Sequence, residues 1–129
     1  MFIPRLVRNI LLDEAITLNG TEGIYLNPIY IGDVVAALMK ALALKGHHLI
    51  NIGGPQVLSL REICMMIGER LKRQPIFKHI EPGDGHVVAD VSKMKEMLGF
   101  PQVAFPEGVV EVCREVERIS SEEVTQEIK

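Results

Sequence analysis

Residues 49–63 read LINIGGPQVLSLREI. A short apolar run ends in a double glycine, Gly53-Gly54, and a helix start follows at Ser59. Phosphate-cradling loops share this order with plain strand-to-helix turns. The dinucleotide fingerprint needs G-x-G-x-x-G opening a helix, with an acidic residue about twenty positions on. Here Pro55, Gln56, Val57 and Leu58 follow the glycines, and no third glycine stands at the helix N-terminus. The pattern G-x-x-x-x-G-K-[ST] is also absent. The glycines therefore read first as a turn by which the chain leaves a sheet. The alternative is a helix N-terminus facing an anion. Ser59 and Glu62 form S-x-x-E, a capping box that starts the helix SLREICMMIGERLK. Before the glycines, HLINIGG reads as a continuous apolar strand, the kind that lies in a parallel sheet covered on both faces.

Working outward, a helix is expected over about residues 4–12, with Pro4 in its first turn. AITLNG follows as a short strand closed by Asn19-Gly20, and IYLNPIYI as a second one, so the two read as a hairpin. Pro28 cannot donate to a ladder, which makes the second strand an edge or breaks it. Asp33 is expected to cap a helix, DVVAALMKALAL, whose apolar residues lie nearly all round and predict deep burial. PIFKHI reads as a strand, EPGDG as a turn and HVVADV as extended chain. Ser92 opens a short helix that stops at Gly99. Pro106 starts PEGVVEVCREVERI, and residues 119–129 form a polar tail expected to fray. The resulting class is α/β with α+β character, helices packed on short strands. The strand LINIG wants neighbours that this chain scarcely offers.

The 129 residues fit one domain; 47% are hydrophobic, 24% are charged, and the net charge is -3. A mild acidic balance offers no electrostatic footprint for nucleic acid. No apolar run reaches the length of a membrane span. Cys64 and Cys113 stand far apart with no CxxC, which reads as two reduced core thiols in a cytoplasmic protein. The N-terminus MFIPRLVRNILL carries Arg5 and Arg8 among apolar residues at i, i+3, i+4 spacing. That spacing fits a helix lying on its own core, with a targeting or membrane-surface peptide as the alternative.

Several runs together resemble a known family. They are Tyr30-Ile31-Gly32-Asp33, Asn51-Ile52-Gly53-Gly54 with Ser59, Pro82-Gly83-Asp84, Ala89-Asp90-Val91-Ser92-Lys93 and Leu98-Gly99-Phe100. In order and spacing they resemble the C-terminal part of the NAD-dependent epimerase/dehydratase family, the extended short-chain dehydrogenase/reductases. The resemblance covers roughly residues 1–117 and implies a substrate-binding domain over 1–118. It also implies that a Rossmann half, with its glycine-rich NAD(P) loop and Tyr-x-x-x-Lys pair, is not in this chain. Tyr25 is followed at i+4 by Ile29 and Tyr30 by Val34, so neither tyrosine has the lysine. By the same resemblance LINIG belongs to the sheet of that Rossmann half, and NIGG is a turn beside the substrate, away from the NAD pyrophosphate.

The resemblance also implies a substrate site. Thr17, Leu18 and Asn19 are the strand that lines a nucleobase. Leu26-Asn27-Pro28 stand where the family has Arg-Asp-aromatic, so Leu26 takes the place of a diphosphate-binding arginine. Glu81 takes the place of a second such arginine, Asp84 matches the aspartate that bonds the ribose, and Leu60 the aliphatic residue near the base. Arginine forks match phosphate oxygens bidentately, whereas Glu81 would repel a dianion. Branches acting on other alcohols or ketones therefore stay open.

Other chemistry finds less support. His47-His48 are adjacent on a strand entry and point to opposite faces. His79 and His86 flank Glu81 and Asp84 in a way that could close around a cation, but they read foremost as solvated turn residues. No G-x-S-x-G elbow occurs, and Met65, Met66, Met94 and Met97 read as core fillers. The expected function is the substrate-binding lobe of an NAD(P)-dependent nucleotide-sugar epimerase- or dehydratase-like protein. No catalytic, cofactor or metal residue is expected in the chain itself. The alternatives are a non-catalytic binding or assembly module, or the lobe of a reductase of non-nucleotide substrates. The expected partners are a nucleotide sugar or other small alcohol or ketone, and either the Rossmann half or a second copy paired through the exposed strand.

Overall fold

The structure is a computed structural model and describes residues 1–128. In chain order it contains α1 (Phe2–Leu11), β1 (Ile16–Asn19), β2 (Tyr25–Leu26), α2 (Ile31–Ala41), β3 (Leu58–Ser59), α3 (Leu60–Leu71), β4 (Phe77–Ile80), α4 (Ser92–Met97) and α5 (Phe105–Ile128). The class is mixed α/β, as expected. The principal core lies among α1, α3, α5, β1 and β3. Leu6, Val7 and Ile10 of α1 meet Ile63, Cys64 and Ile67 of α3, with Phe105, Val109 and Cys113 of α5 closing the third side. Ile63, Ile67 and Leu18 are fully buried, each stabilising the fold by about 1.5–3 kcal/mol. Helix α3 starts as its sequence dictates. Ser59 Oγ accepts from Glu62 N at 3.0 Å, and Glu62 Oε2 accepts from Ser59 N at 2.7 Å. Ser59 Oγ also donates to Glu22 Oε2 at 2.8 Å, which ties the turn after β1 to the helix start.

The strand pairing differs from the expected hairpin. β1 pairs with β4 in parallel, Ile16 opposite Phe77 and Asn19 opposite Ile80, while β2 pairs with β3 antiparallel. After Asn19 the chain turns at Gly20 (φ +68°) and Gly23 (φ +75°), and Gly23 lies against Leu18 and Leu60. Thus β2 is carried to α3's start and not back along β1. The expected strand LINIG is not a strand: residues 49–57 carry no ladder among the described residues, and residues 27–28 cross over Gly53 and Gly54 without pairing as a strand.

Helix α2 also corrects the sequence reading. Only Ala37 is buried in it, while Ile31, Val35, Leu38, Met39 and Leu42 are exposed. Its inner face, Ala37 and Ala41, packs with Met94 and Leu98 on Ile50 and Ile52, a second and much smaller core. Asp33 does not cap this helix. Tyr30 is the N-cap residue, and Asp33 Oδ2 accepts from Gln102 N (3.1 Å) and Val103 N (2.9 Å). The final helix continues through the residues read as a tail, as far as Ile128.

Candidate functional site

In open α/β sheets ligands gather at the carboxyl ends of parallel strands. Here those ends are Asn19 and Ile80. Gly20 N donates to Ile80 O at 2.9 Å. His79 Nδ1 lies 2.8 Å from Gly20 O, an acceptor only, so this nitrogen carries the proton. The 81–86 loop leaves from here. Pro82 covers Gly20, and a Cβ on Gly83 would stand 3.3 Å from Asn19 Nδ2, so the asparagine side chain meets the loop at Gly83. The loop then returns to β2. Tyr25 N donates to His86 Nδ1 at 3.1 Å, Val87 N donates to Tyr25 O at 2.8 Å, and Leu26 and Val87 form a parallel bridge. Glu81 and Asp84 are exposed on this loop and have no salt-bridge partner among the described residues.

The expected site residues separate into two sets. Glu81 follows the strand end opposite Asn19, Asp84 lies on the loop that Asn19 meets at Gly83, and Leu26 meets the far end of that loop at Val87. Thr17 is exposed on β1 between the buried Ile16 and Leu18, as strand alternation requires. Leu18 and Leu60 belong to the principal core and support the strand from behind. Pro28 faces elsewhere, into an apolar cavity of about 290 Å³ that Tyr30, Phe105 and Gly108 also line. The histidines do not converge. His48 Nε2 lies 2.7 Å from Lys45 O, and no three His, Cys, Asp or Glu side chains among the described residues are placed to hold a metal ion.

The double glycine is filled from above. A Cβ on Gly54 would stand 1.8 Å from Pro28 O, and one on Gly53 would stand 2.6 Å from Asn27 Nδ2. Gly54 N donates to Asn27 O at 2.9 Å. The glycines exist so that residues 27–28 can lie directly on them, which leaves no room for a pyrophosphate. Asn27 itself is the residue the sequence reading passed over. Its amide accepts from Ala89 N at 2.8 Å and donates to Ala89 O at 2.9 Å, so the side chain replaces a strand partner. The signal was an asparagine before a proline, at a place where the backbone is extended and its side chain is free to bond. Gln56 is similar: its Oε1 accepts from Phe105 N at the start of α5.

No protein-family model matches the chain. An uncharacterized protein of Methanocaldococcus jannaschii is 27% identical over 114 residues, 84% of this chain and 35% of that protein. UDP-glucuronic acid 4-epimerase from Bacillus cereus, solved with NAD, has a TM-score of 0.77 at 24% identity, over 92% of this chain and 40% of its own. MoeE5, solved with UDP-glucuronic acid and NAD, gives 0.72 at 28% identity, over 93% of this chain and 42% of its own. dTDP-glucose 4,6-dehydratase from Bacillus anthracis, solved with NAD, gives 0.73 at 23% identity, over 92% and 39%. The chain thus spans about two fifths of the length of these structures. Its fold is that of the C-terminal part of NAD-dependent nucleotide-sugar epimerases and dehydratases.

Proposed function

We propose that this chain is the substrate-binding lobe of an NAD(P)-dependent nucleotide-sugar epimerase- or dehydratase-like protein, and that it does not catalyse hydride transfer by itself. The observation that carries this reading is the convergence of Asn19 and the loop bearing Glu81 and Asp84 at the carboxyl ends of a parallel strand pair. Asn19 offers an amide to a base edge, and Asp84 a carboxylate to the hydroxyls of a ribose. The residues present do not fit NAD or NADP. The one Gly-Gly pair of the sequence is covered by Asn27 and Pro28, and no Tyr-x-x-x-Lys pair occurs. Isomerase or oxidoreductase chemistry therefore needs a cofactor-binding half outside these residues. The exposed face of α2 and the unladdered 49–53 stretch are surfaces on which that half, or a second copy of this chain, would lie. Two buried and unpaired thiols support a cytoplasmic location.

Calorimetric titration with UDP-glucose, UDP-glucuronic acid and dTDP-glucose tests the reading. At least one should bind, and Asp84→Ala should weaken it about tenfold, the loss of one charge-assisted hydrogen bond. NAD alone should give no heat. One observation favours a second reading, a lobe for an uncharged alcohol or ketone, or an assembly module without a ligand. The 81–86 loop presents two carboxylates and no arginine. Silence toward all three nucleotide sugars would sink the first reading in favour of the second.

A further inference from the structure

We propose that Asn27 is the positioning residue of this site, a side-chain latch that fixes where the 81–87 loop stands over the ends of β1 and β4. The proposal rests on the lobe reading only in calling that loop part of a binding site. The loop's entry is set by β4 itself. Its exit is held only by a short contact: β2 is two residues long, Tyr25 bonds His86 and Val87, and Leu26–Val87 is a single bridge, so nothing of β2 reaches Ala89. The Asn27 amide extends that bridge by one residue through its two bonds to Ala89. Asn27 is in turn fixed by the glycines beneath it, because Gly54 N holds its carbonyl and Gly53 leaves only the width of its amide. Gly53, Asn27, Ala89 and the loop thus form one connected stack. The double glycine therefore acts on the candidate site through Asn27, without touching a ligand.

The chemistry of the amide supplies the test. A protonated carboxyl has the same donor and acceptor as an amide, whereas a carboxylate only accepts and faces Ala89 O unfavourably. Asn27→Asp, compared with the unsubstituted protein at the same pH, should hold the loop at pH 3.0 and release it at pH 7.5. Asn27→Ala should release it at both. Amide hydrogen exchange of the full chain, corrected for intrinsic rates, reads the outcome. Protection at residues 86–89 should fall about tenfold on release, with α1 and α3 unchanged. Equal protection in Asn27→Ala and the unsubstituted protein would overturn the proposal, as would an Asn27→Asp protein indifferent to pH. Loss of protection throughout the core in both variants would also overturn it, since a loop latch cannot hold the core. UDP-glucose titration separates the two readings. If the chain binds neither UDP-glucose nor the other two nucleotide sugars while the pH-dependent latch is seen, the lobe reading falls and the positioning role stands.

Discussion

At Gly54 the backbone runs so close beneath Pro28 that one methyl group has nowhere to go, since the obstacle is a carbonyl 1.8 Å from the methyl's place. Gly54→Ala should therefore destabilise the fold by about 2 kcal/mol or more, because main chain must move and the bond from Gly54 N to Asn27 O is lost. Urea denaturation measures this, and a loss under about 0.5 kcal/mol would show that the two segments are not in contact. Ser59 is the second sensitive residue. Its hydroxyl accepts from the helix and donates to Glu22 while fully buried. Ser59→Ala should cost about 1–3 kcal/mol, more than an exposed cap, because Glu22 loses its donor as well. Thermal melting of this variant beside Glu22→Gln, which keeps an acceptor for the Ser59 hydroxyl, tells cap from strap. The buried thiols give a pH prediction. Burial pushes Cys64 up to about 12 from 9.0, and burial likewise raises Cys113 above its ordinary value, with Arg70 partly opposing. The unfolded chain therefore releases protons that the folded chain keeps. Stability from Cys64 should be complete below pH 9 and decline as pH rises from 9 toward 12. A disulfide reagent at pH 8 should leave both thiols unmodified until denaturant is added; rapid labelling of the native protein would contradict their burial.

At the scale of elements, what was legible in the sequence is what local chemistry decides. The capping box, the glycine stop after α4 (Gly99, φ +89°) and the start of α5 by Pro106 depend on neighbours within four residues. The hairpin was misread because Asn19-Gly20 is a turn signal whichever way the turn leads. Its direction is decided by Gly23 packing on Leu18 and Leu60, residues from two other elements. The site was half legible for the same reason. Asn19 meets the loop that bears Glu81 and Asp84 because β1 and β4 are parallel, whereas Leu18 and Leu60 belong to the core. Asn27 was invisible because its partner, Ala89, is 62 residues away. In α5 the burial stops early. Phe105, Val109 and Cys113 face the core, and the last three turns are held by pairs on the helix itself, Arg118 with Glu115 and Glu122 and Thr125 Oγ1 with Ser121 O. Beyond them lies one long contact, Arg8 to Glu123 at 3.9 Å, both half-exposed or more. Deleting residues 120–129 should lower the helix signal in circular dichroism but shift the melting temperature by less than about 2 °C. A shift of 5 °C or more would mean that these turns cover part of the core.

For the whole molecule, the two cores are unequal. The principal one joins three helices and two strands, whereas the smaller one buries only Ala37, Met94 and Leu98. On α2 the small residues face inward and the large ones outward. Ile31, Val35, Leu38 and Leu42 recur at i, i+4, i+7 and i+11, exposed by 66, 51, 55 and 80%. That is a single stripe along the helix, and Lys40 is the only basic residue of α2. A stripe of this kind on a lone domain costs free energy in water of about 25 cal/mol for each Å² left uncovered, so any complementary apolar surface is stabilising. The M. jannaschii protein and the matched structures have more than twice this chain's length, and the cofactor-binding half proposed above is one candidate for such a surface. In the absence of such a half, the purified chain should associate with itself as concentration rises. Leu38→Lys with Leu42→Lys should abolish that association and leave the melting temperature of the monomer within about 2 °C, because neither side chain contributes to either core. Sedimentation equilibrium over a hundredfold concentration range distinguishes the cases. A monomer throughout, before substitution, would show that the stripe does not drive self-association. Association that survives both lysines would move the contact to another surface, with the unladdered backbone of residues 49–53 the next to block.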